Sequence, residues 1–222
     1  DEKLVWSGTY DKGKPNGTFT YWDKNGNEIG KYEIKDGTGF VYTYWSPKKP
    51  FDRQHLYKGY EDGLYEQFAR NGKRVIEGHF AGVIKHGTWK EWDVDGALIS
   101  GEVWKKGELE GAVKKYVDGK LSMESRYVDG VADGPYSEFR NGKPSLTGQF
   151  AADRKTGTWT SYAADGSVLR IATYKDGILD GTYRELTNGV VIEGPMASGR
   201  RSGTWTQTDS AGAVRKLTYR AP

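Results

Sequence analysis

The stretch HGTWKEWDVDG, residues 86–96, contains the pattern that decides the fold of this chain. Its first glycine, Gly87, is followed by a tryptophan two residues later and another five residues later. Its second glycine, Gly96, belongs to an Asp-Gly pair. Asp-Gly and Asn-Gly are preferred in two-residue hairpin turns, because both central residues of such a turn need positive φ. The stretch therefore predicts a β-strand that runs into a tight turn.

The same pattern recurs nine times along the 222 residues, with a period of about 23. The first glycine of each copy is Gly17, Gly39, Gly63, Gly87, Gly111, Gly134, Gly157, Gly181 or Gly203. In eight copies a turn glycine follows eight or nine residues later, at Gly26, Gly72, Gly96, Gly119, Gly142, Gly166, Gly189 and Gly212. Each copy therefore predicts a hairpin of two strands.

A column of bulky residues lies seven positions before each first glycine, and usually one more glycine stands between the two. The column is Tyr10, Tyr32, Leu56, Phe80, Trp104, Tyr127, Phe150, Tyr174 and Met196. The connection between copies is therefore predicted to be a second tight turn that depends on glycine. No segment has the 3.6-residue apolar periodicity of a helix.

Together these signals predict an all-β fold, an antiparallel meander of about eighteen strands in nine tandem hairpins. We expect one array over residues 1–222, with a C-terminal cap at 213–222. The copies start near residues 8, 30, 54, 78, 101, 124, 148, 171 and 194.

Composition favours an elongated, twisted single layer over a two-layer globule. The chain has 31 glycines and 30 aromatic residues, but only 36% hydrophobic residues and a mean hydropathy of -0.78. A two-layer core needs many facing aliphatic side chains. A glycine often precedes the column residue by two positions, at Gly8, Gly30, Gly78 and Gly148. We expect a neighbouring ring to cover each of these strand glycines.

Two rows of mostly aromatic residues follow the first glycines. The row at two residues is Phe19, Val41, Tyr65, Trp89, Val113, Tyr136, Trp159, Tyr183 and Trp205. The row at five residues, here called the outer ring row, is Trp22, Tyr44, Phe68, Trp92, Tyr116, Phe139 and Tyr162. Positions two and five residues after a glycine point to opposite faces of a regular strand. The two rows therefore predict either rings on both faces of the sheet or a bulge that turns one row to the other face. The outer ring row is predicted to line a binding groove; in the competing interpretation its rings only stack on each other.

The second copy has no turn glycine and contains YWSPKKPFDRQH, residues 44–55, instead. This predicts a longer loop that projects from the sheet edge and carries Lys48, Lys49, Phe51 and Arg53 outward. The loop is interpreted either as a recognition element or as a tolerated surface insertion.

Catalytic motifs are missing from the sequence. The three histidines lack metal-ligand spacing, and neither a Gly-x-Ser-x-Gly elbow nor a phosphate-binding loop is present. There are no cysteines, and the acidic residues beside glycines are typical turn residues. The net charge is +3, with scattered lysines and arginines, and no apolar run approaches 18 residues. We expect no enzymatic activity, no cofactor, no metal and no nucleic-acid partner.

The repeated Gly-x-aromatic, turn-glycine and aromatic-x-x-Gly elements resemble the MORN repeat family, in particular bacterial members with "DG-x-Y/W" hairpins. The resemblance covers almost the whole chain and departs at residues 44–55 and at Thr208, which resembles a polar end cap. It implies an elongated twisted sheet, often grooved, that acts as a scaffold or interaction module. Some relatives are attached to an enzyme or associated with membranes, and some bacterial ones are described as antitoxins that bind a partner protein.

Three functions are predicted for such a surface. The first is a protein-binding scaffold, the second is binding of polysaccharide or cell wall through exposed rings, and the third is association with acidic lipid. The chain begins at Asp1 and not at Met, which indicates a cleaved leader or a shortened chain. With the lack of cysteine, this favours a periplasmic or extracellular location, with the cytoplasm as the alternative.

Overall fold

The computed structural model describes residues 5–220, and 73% of the chain is in strands, with no helix in this part. The predicted antiparallel meander of consecutive hairpins is confirmed. Two compact units are distinguished, Asp1–Glu110 and Gly111–Pro222. Asp1 and the last two residues of the predicted cap lie outside the described residues.

The first unit contains twelve strands among its described residues. They are β1 (Trp6–Ser7), β2 (Tyr10–Asp11), β3 (Lys14–Pro15), β4 (Gly17–Trp22), β5 (Glu28–Ile34), β6 (Gly39–Ser46), β7 (Lys49–Tyr57), β8 (Tyr60–Phe68), β9 (Arg74–Ala81), β10 (Ile84–Trp92), β11 (Leu98–Lys105) and β12 (Glu108–Leu109). Strands β1, β4 and β5 form one sheet, β2 pairs with β3, and β6 to β12 pair in chain order. All of these pairs are antiparallel.

The second unit contains eleven strands among its described residues. They are β13 (Gly111–Val117), β14 (Lys120–Val128), β15 (Val131–Arg140), β16 (Lys143–Ala151), β17 (Arg154–Tyr162), β18 (Val168–Lys175), β19 (Ile178–Thr187), β20 (Val190–Ala197), β21 (Arg200–Arg201), β22 (Gly203–Thr208) and β23 (Val214–Tyr219). Consecutive strands from β13 to β21 pair antiparallel, β22 pairs with β20, and β23 pairs with β22.

The first glycine of every copy has positive φ, between 60° at Gly203 and 146° at Gly39. Pairing with the preceding strand shifts register at this position, as between His86 and Lys90 of β10. A side chain is also excluded sterically in places, since a Cβ on Gly63 would lie 2.9 Å from His55 Nδ1. The repeated glycine therefore marks a bulge with a left-handed backbone.

The row at two residues after each first glycine, here called the inner ring row, forms much of the core. Phe19, Trp89, Trp159 and Trp205 are buried, and so is Val113. The predicted covering of strand glycines is confirmed, because a Cβ would overlap a ring at each one. The pairs are Gly8 with Phe19, Gly30 with Tyr44, Gly78 with Trp89 and Gly148 with Trp159. Ring stacking over a glycine thus supplies packing that a second layer supplies in thicker folds.

The turns between copies are two-residue turns with positive φ at both residues, as the glycine pattern predicts. Examples are Lys58-Gly59 and Asp176-Gly177. Within the hairpins, only Asp118-Gly119, Asn141-Gly142 and Asn188-Gly189 are of this kind.

The prediction of two-residue turns was wrong at Gly26, Gly72, Gly96 and Gly166, where only the glycine of the pair has positive φ. At the first of these sites the loop is longer, and Asp23 N donates to Asn27 O at 2.9 Å. The Asp23 carboxylate also accepts from Asn25 N and Asn27 N. This carboxylate organises a five-residue turn that a dipeptide rule does not anticipate.

The predicted projecting loop at residues 44–55 was also wrong. Ser46 pairs with Lys49, so the hairpin closes through Pro47 and Lys48 alone. Proline presets the first turn position, and Lys48 takes the positive φ, 57°, that glycine takes elsewhere. Lys48 N donates to Ile29 O at 2.9 Å, which ties the turn to the preceding hairpin.

The junction between β5 and β6 differs from the other connections of the first unit. The column residue is Ile34, which faces Gly17 and is 1% exposed, whereas the predicted Tyr32 faces Phe19. Beyond Ile34, the chain pairs with the start of the next hairpin only through the bridge between Lys35 and Thr38. The reason is that this connection is two residues shorter than the others. Strand β5 therefore ends one sheet, and β6 begins the next.

Candidate functional site

All seven side chains of the outer ring row are half-buried. A register shift precedes each ring, for example between Glu91 and Trp92 and between Glu138 and Phe139. A bulge therefore lies beside each outer ring, but it is not in the strand that carries the two rows. The opposing strand contributes the extra residue there.

Rings of the outer row contact the preceding hairpin and not each other. Tyr44 covers Gly30, and the Arg74 guanidinium lies 4.9 Å from the Trp92 ring centroid. The Tyr162 hydroxyl lies 3.3 Å from Thr147 Oγ1. Within residues 5–220 no ring contact joins two members of the row, so stacking among its members does not account for it.

Two clefts occur at the same place in the repeat, where an outer ring faces the tip of the preceding hairpin. In the first unit a cleft of about 290 Å³ is lined by Tyr44 with Ile29, Lys31, Pro47 and Lys48, among others. In the second unit a cleft of about 250 Å³ is lined by Phe139 with Val117, Lys120, Leu121, Ser122 and Arg140, among others. Each cleft combines an apolar wall with two cationic side chains and one carboxylate, Glu28 in the first and Asp118 in the second.

At two other rings of the row, Trp92 and Tyr162, side chains of the preceding hairpin bridge the corresponding space. Lys73 Nζ donates to Asp95 O at 2.6 Å, and Asn71 Nδ2 donates to Val94 O at 2.7 Å. Lys143 Nζ lies 3.5 Å from Ala164 O, beside Tyr162, where the remaining space is about 10 Å³. The presence of a cleft is thus a property of particular hairpin pairs and not of the repeat.

The four residues of the predicted loop do not form a common site. Lys48 and Lys49 are exposed, but Phe51 packs edge-on against Trp45 with ring centroids 4.6 Å apart. Arg53 pairs with Glu66 and covers the Phe40 ring. The hydrogen bond to Glu66 raises the pKa of Arg53 above its usual value. Phe51 and Arg53 therefore hold the sheet together instead of projecting from it.

Glu66 is the buried centre of a charged cluster, with 5% of its surface exposed. Arg53 and Arg74 both bind its carboxylate, Arg74 at 3.1 Å, and Arg74 also pairs with Glu77. Removing a single partner from such a buried pair is destabilising, because the other charge is left uncompensated.

Cations over the inner rings were missed by the sequence analysis. Lys85 Nζ lies 4.2 Å from the Trp89 centroid and 4.6 Å from that of Trp104. Lys155 lies over Trp159 and Tyr174, and Arg201 lies over Trp205 and Tyr219. A sequence signal existed: where the inner row carries tryptophan, the residue two positions before the first glycine is Lys or Arg. The contact shields one face of each tryptophan.

Burial and hydrogen bonding raise the pKa of two tyrosines that follow a first glycine by two residues. Burial, and then a hydrogen bond to Glu138, raise the pKa of Tyr136 above its usual value. Burial, and then a hydrogen bond to Glu185, also raise the pKa of Tyr183 above its usual value. Among residues 5–220, no three His, Asp or Glu side chains are placed to hold a metal ion. The described part also has no helix long and apolar enough to cross a membrane.

Comparison with protein families gives a match to a MORN repeat variant over residues 155–176. This segment is one copy of the pattern, from Lys155 through Gly157, Trp159 and Gly166 to Asp176. This match supports membership of the MORN-repeat family. MORN repeats are generally associated with binding of proteins or membrane lipids, and the family is generally non-enzymatic.

Proposed function

We propose that this chain is a non-catalytic protein-binding scaffold that uses its outer ring row to recognise a partner. The observation that carries the proposal is the pair of clefts beside Tyr44 and Phe139, each at the junction of two hairpins. Both occur at the same place in the repeat, yet in separate units. An antitoxin-like role, in which the partner is a toxin, is one form of this function.

The chemistry of the clefts suits side chains of a protein. A half-buried ring supplies an apolar wall, and Lys120, Arg140 and Ser122 surround the wall formed by Phe139. Aromatic anchors in partly desolvated pockets commonly carry most of the energy of a protein interface. A cleft of about 250 Å³ accommodates one or two side chains of a partner, since even small-ligand pockets usually start at about 300 Å³.

Site-specific photo-cross-linking in cells of the source organism tests the proposal. A photoreactive phenylalanine analogue is placed at Phe139, at Tyr44 or at Tyr127, a half-buried ring outside the row. We expect one protein to be cross-linked from the first two positions and not from Tyr127. Equal cross-linking from all three positions contradicts recognition by the row.

Binding measurements with the cross-linked protein then give the contribution of the ring. Phe139→Ala should lower affinity by at least tenfold, because a hot-spot ring contributes about 2 kcal/mol or more. The alternatives are polysaccharide or cell wall and acidic lipid. Retention on a glycan array or sedimentation with anionic vesicles, lost in Phe139→Ala, would assign the row to one of these instead.

The proposed place of action is the periplasm or the cell exterior, with the cytoplasm as the alternative. Fractionation of the source cells with an antibody against the chain decides between them.

A further inference from the structure

The turns between copies form a backbone-bonded edge in the first unit, here called the connecting edge. Its turns are centred on residues 12–13, 36–37, 58–59, 82–83 and 106–107. Gly59 N donates to Gly37 O at 2.8 Å, Val83 N to Glu61 O at 2.7 Å, and Gly107 N to Lys85 O at 3.1 Å. These bonds make the edge a continuous surface, because each turn is attached to its neighbour through the main chain.

Four large apolar side chains are exposed on two neighbouring turns of this edge. The exposed fractions are 48% for Tyr57, 65% for Tyr60, 55% for Val83 and 44% for Ile84. Tyr57 and Tyr60 face each other across β7 and β8. Ile84 reaches the next turn, where a Cβ on Gly107 would lie 2.8 Å from Ile84 Cγ2. Clustered apolar side chains on a solvent-facing edge mark an interaction surface.

The side chain of Val83 stands at a backbone position that disfavours it. Its φ is 64°, a left-handed conformation that is strongly disfavoured for a β-branched residue. The same turn position is glycine at Gly13, Gly59 and Gly107 in this unit. Glycine would remove the strain, and the Val83 side chain is mostly in solvent. A strained, exposed apolar residue at a position suited to glycine indicates selection for what the side chain contacts.

The charge of the connecting edge indicates which class of partner it can bind. Six exposed lysines, Lys12, Lys14, Lys35, Lys58, Lys105 and Lys106, stand on it beside four carboxylates, Asp11, Asp36, Glu61 and Glu108. The edge is therefore net positive, with lysines flanking the apolar cluster on both sides. A second copy of the chain would bring the same positive charge against it, whereas an acidic partner complements it.

We propose that the connecting edge binds an acidic amphipathic helix of a partner protein. Neighbouring turns are two strands apart, about 10 Å, and helix residues seven apart are separated by about 10.5 Å. A helix laid along the edge therefore places one apolar side chain on Tyr57 and Tyr60 and the next on Val83 and Ile84. In an extended strand, the residue at the same distance points to the opposite face. Asp and Glu beside the apolar stripe meet the flanking lysines.

Selection from a display library of randomised surface positions on a stable helical peptide tests the proposal with the whole chain as bait. Each recovered peptide is then measured against three proteins: the unchanged chain, Tyr60→Ser/Val83→Gly and Ile178→Ser. Ile178 is the matched control, because it is 53% exposed at the equivalent turn position of the second unit. The two replacements on the edge are in exposed side chains, and Val83→Gly restores the usual turn residue.

We expect the recovered peptides to carry apolar residues seven apart with an excess of Asp and Glu. Their affinity should fall at least tenfold for Tyr60→Ser/Val83→Gly and stay unchanged for Ile178→Ser. Recovery of neutral or basic peptides, equal binding to all three proteins, or no enrichment overturns the proposal. Sedimentation with phosphatidylserine vesicles that requires Val83, or self-association that requires it, assigns the edge to a membrane or a second copy instead. None of these outcomes affects the outer ring row, which is tested separately.

Discussion

The turns at 82–83 and 152–153 both place a residue other than glycine where most connecting turns have glycine. Asp153 has a φ of 62°, and its Oδ1 accepts a hydrogen bond from Ala132 N at 2.7 Å. Val83 has a φ of 64°, and its hydrocarbon side chain can form no such bond. The strain is therefore compensated locally at Asp153 and not at Val83. The comparison teaches that the same backbone outlier is compensated within the fold in one turn, whereas in the other we infer that a partner uses the side chain.

Beneath both turns the framework is the same. Lys85 and Lys155 each lie 4.2 Å from the centroid of a buried tryptophan, Trp89 or Trp159. Each tryptophan also covers a strand glycine and packs against a tyrosine of the preceding copy. The difference between the two regions is thus confined to the turns themselves.

The largest expected effect tests this shared framework. Trp89→Ala and Trp159→Ala should each lower the free energy of unfolding by about 3–5 kcal/mol, because each leaves a cavity beside a bare strand glycine. Chemical denaturation followed by fluorescence of the remaining tryptophans measures both, with Ile178→Ser as an exposed control. If the losses in free energy of unfolding differ by more than about 2 kcal/mol between the two variants, the packing beneath the two turns is not equivalent.

A smaller loss is expected when the compensated turn is made like the uncompensated one. Asp153→Val removes the bond to Ala132 N and places a β-branched residue at positive φ. The expected cost is about 2 kcal/mol, since a buried amide loses its acceptor and the backbone strain rises. Asp153→Gly is the control, because it loses the bond but relieves the strain, and it should be close to neutral. If Asp153→Val is as stable as the unchanged chain, the bond does not compensate the strain.

Removal of the uncompensated strain should stabilise the fold. Val83→Gly should raise the free energy of unfolding by about 1 kcal/mol, because glycine adopts positive φ without penalty and only exposed surface is lost. Thermal unfolding measures the change, and Val94→Gly, at an exposed valine of an in-hairpin loop, is the control. A fall in stability for Val83→Gly would mean that the side chain supports the fold and would weaken the functional interpretation.

The smallest effect concerns a second capping carboxylate, in the hairpin that follows turn 152–153. A hydrogen bond from Ser167 N, followed by one from its hydroxyl, holds the pKa of Asp165 below its usual range. Its contribution to stability is therefore present above the unfolded-state pKa and is lost as pH falls through the folded-state value. The melting temperature of Asp165→Ala should be slightly lower than that of the unchanged chain at pH 7. The difference between the two melting temperatures should disappear in acid. A gap independent of pH would contradict capping by the charged form, and Ile178→Ser controls for non-titrating changes.

Local rules predicted much of the framework. The first glycines, the turns between copies and the strand glycines covered by rings were all found from spacing, because each depends on residues close in sequence or on a pattern repeated nine times. Parity predicted either rings on both faces or a bulge that re-aims one row, whereas the bulge beside the outer ring row lies in the opposing strand. The cations over the inner tryptophans also follow a local pattern, because Lys or Arg stands two positions before the first glycine of each of those copies.

Other features depended on partners outside the local pattern. The turn at residues 46–49 is tight because Lys48 accepts positive φ and bonds to Ile29, a residue of the preceding hairpin. The column position of the second copy moved to Ile34 because the connection before it is two residues short and the register of β4 and β5 places that side chain opposite Gly17. Spacing alone predicted a long loop at residues 44–55 and Tyr32 as the column residue.

By itself, the sequence determined the repeat, the positions of backbone reversal and the membership of the inner row, because glycine, Asn-Gly and Asp-Gly limit φ wherever they occur. The tertiary structure alone decided which outer rings border an open cleft and which turns expose apolar side chains. Those properties depend on what the neighbouring hairpin presents: Lys73 and Lys143 reach across to a carbonyl and close the space. No lysine bond of that kind accompanies the clefts beside Tyr44 and Phe139 within residues 5–220. Contacts between side chains of different copies have no period of their own, so repetition in the sequence cannot specify them.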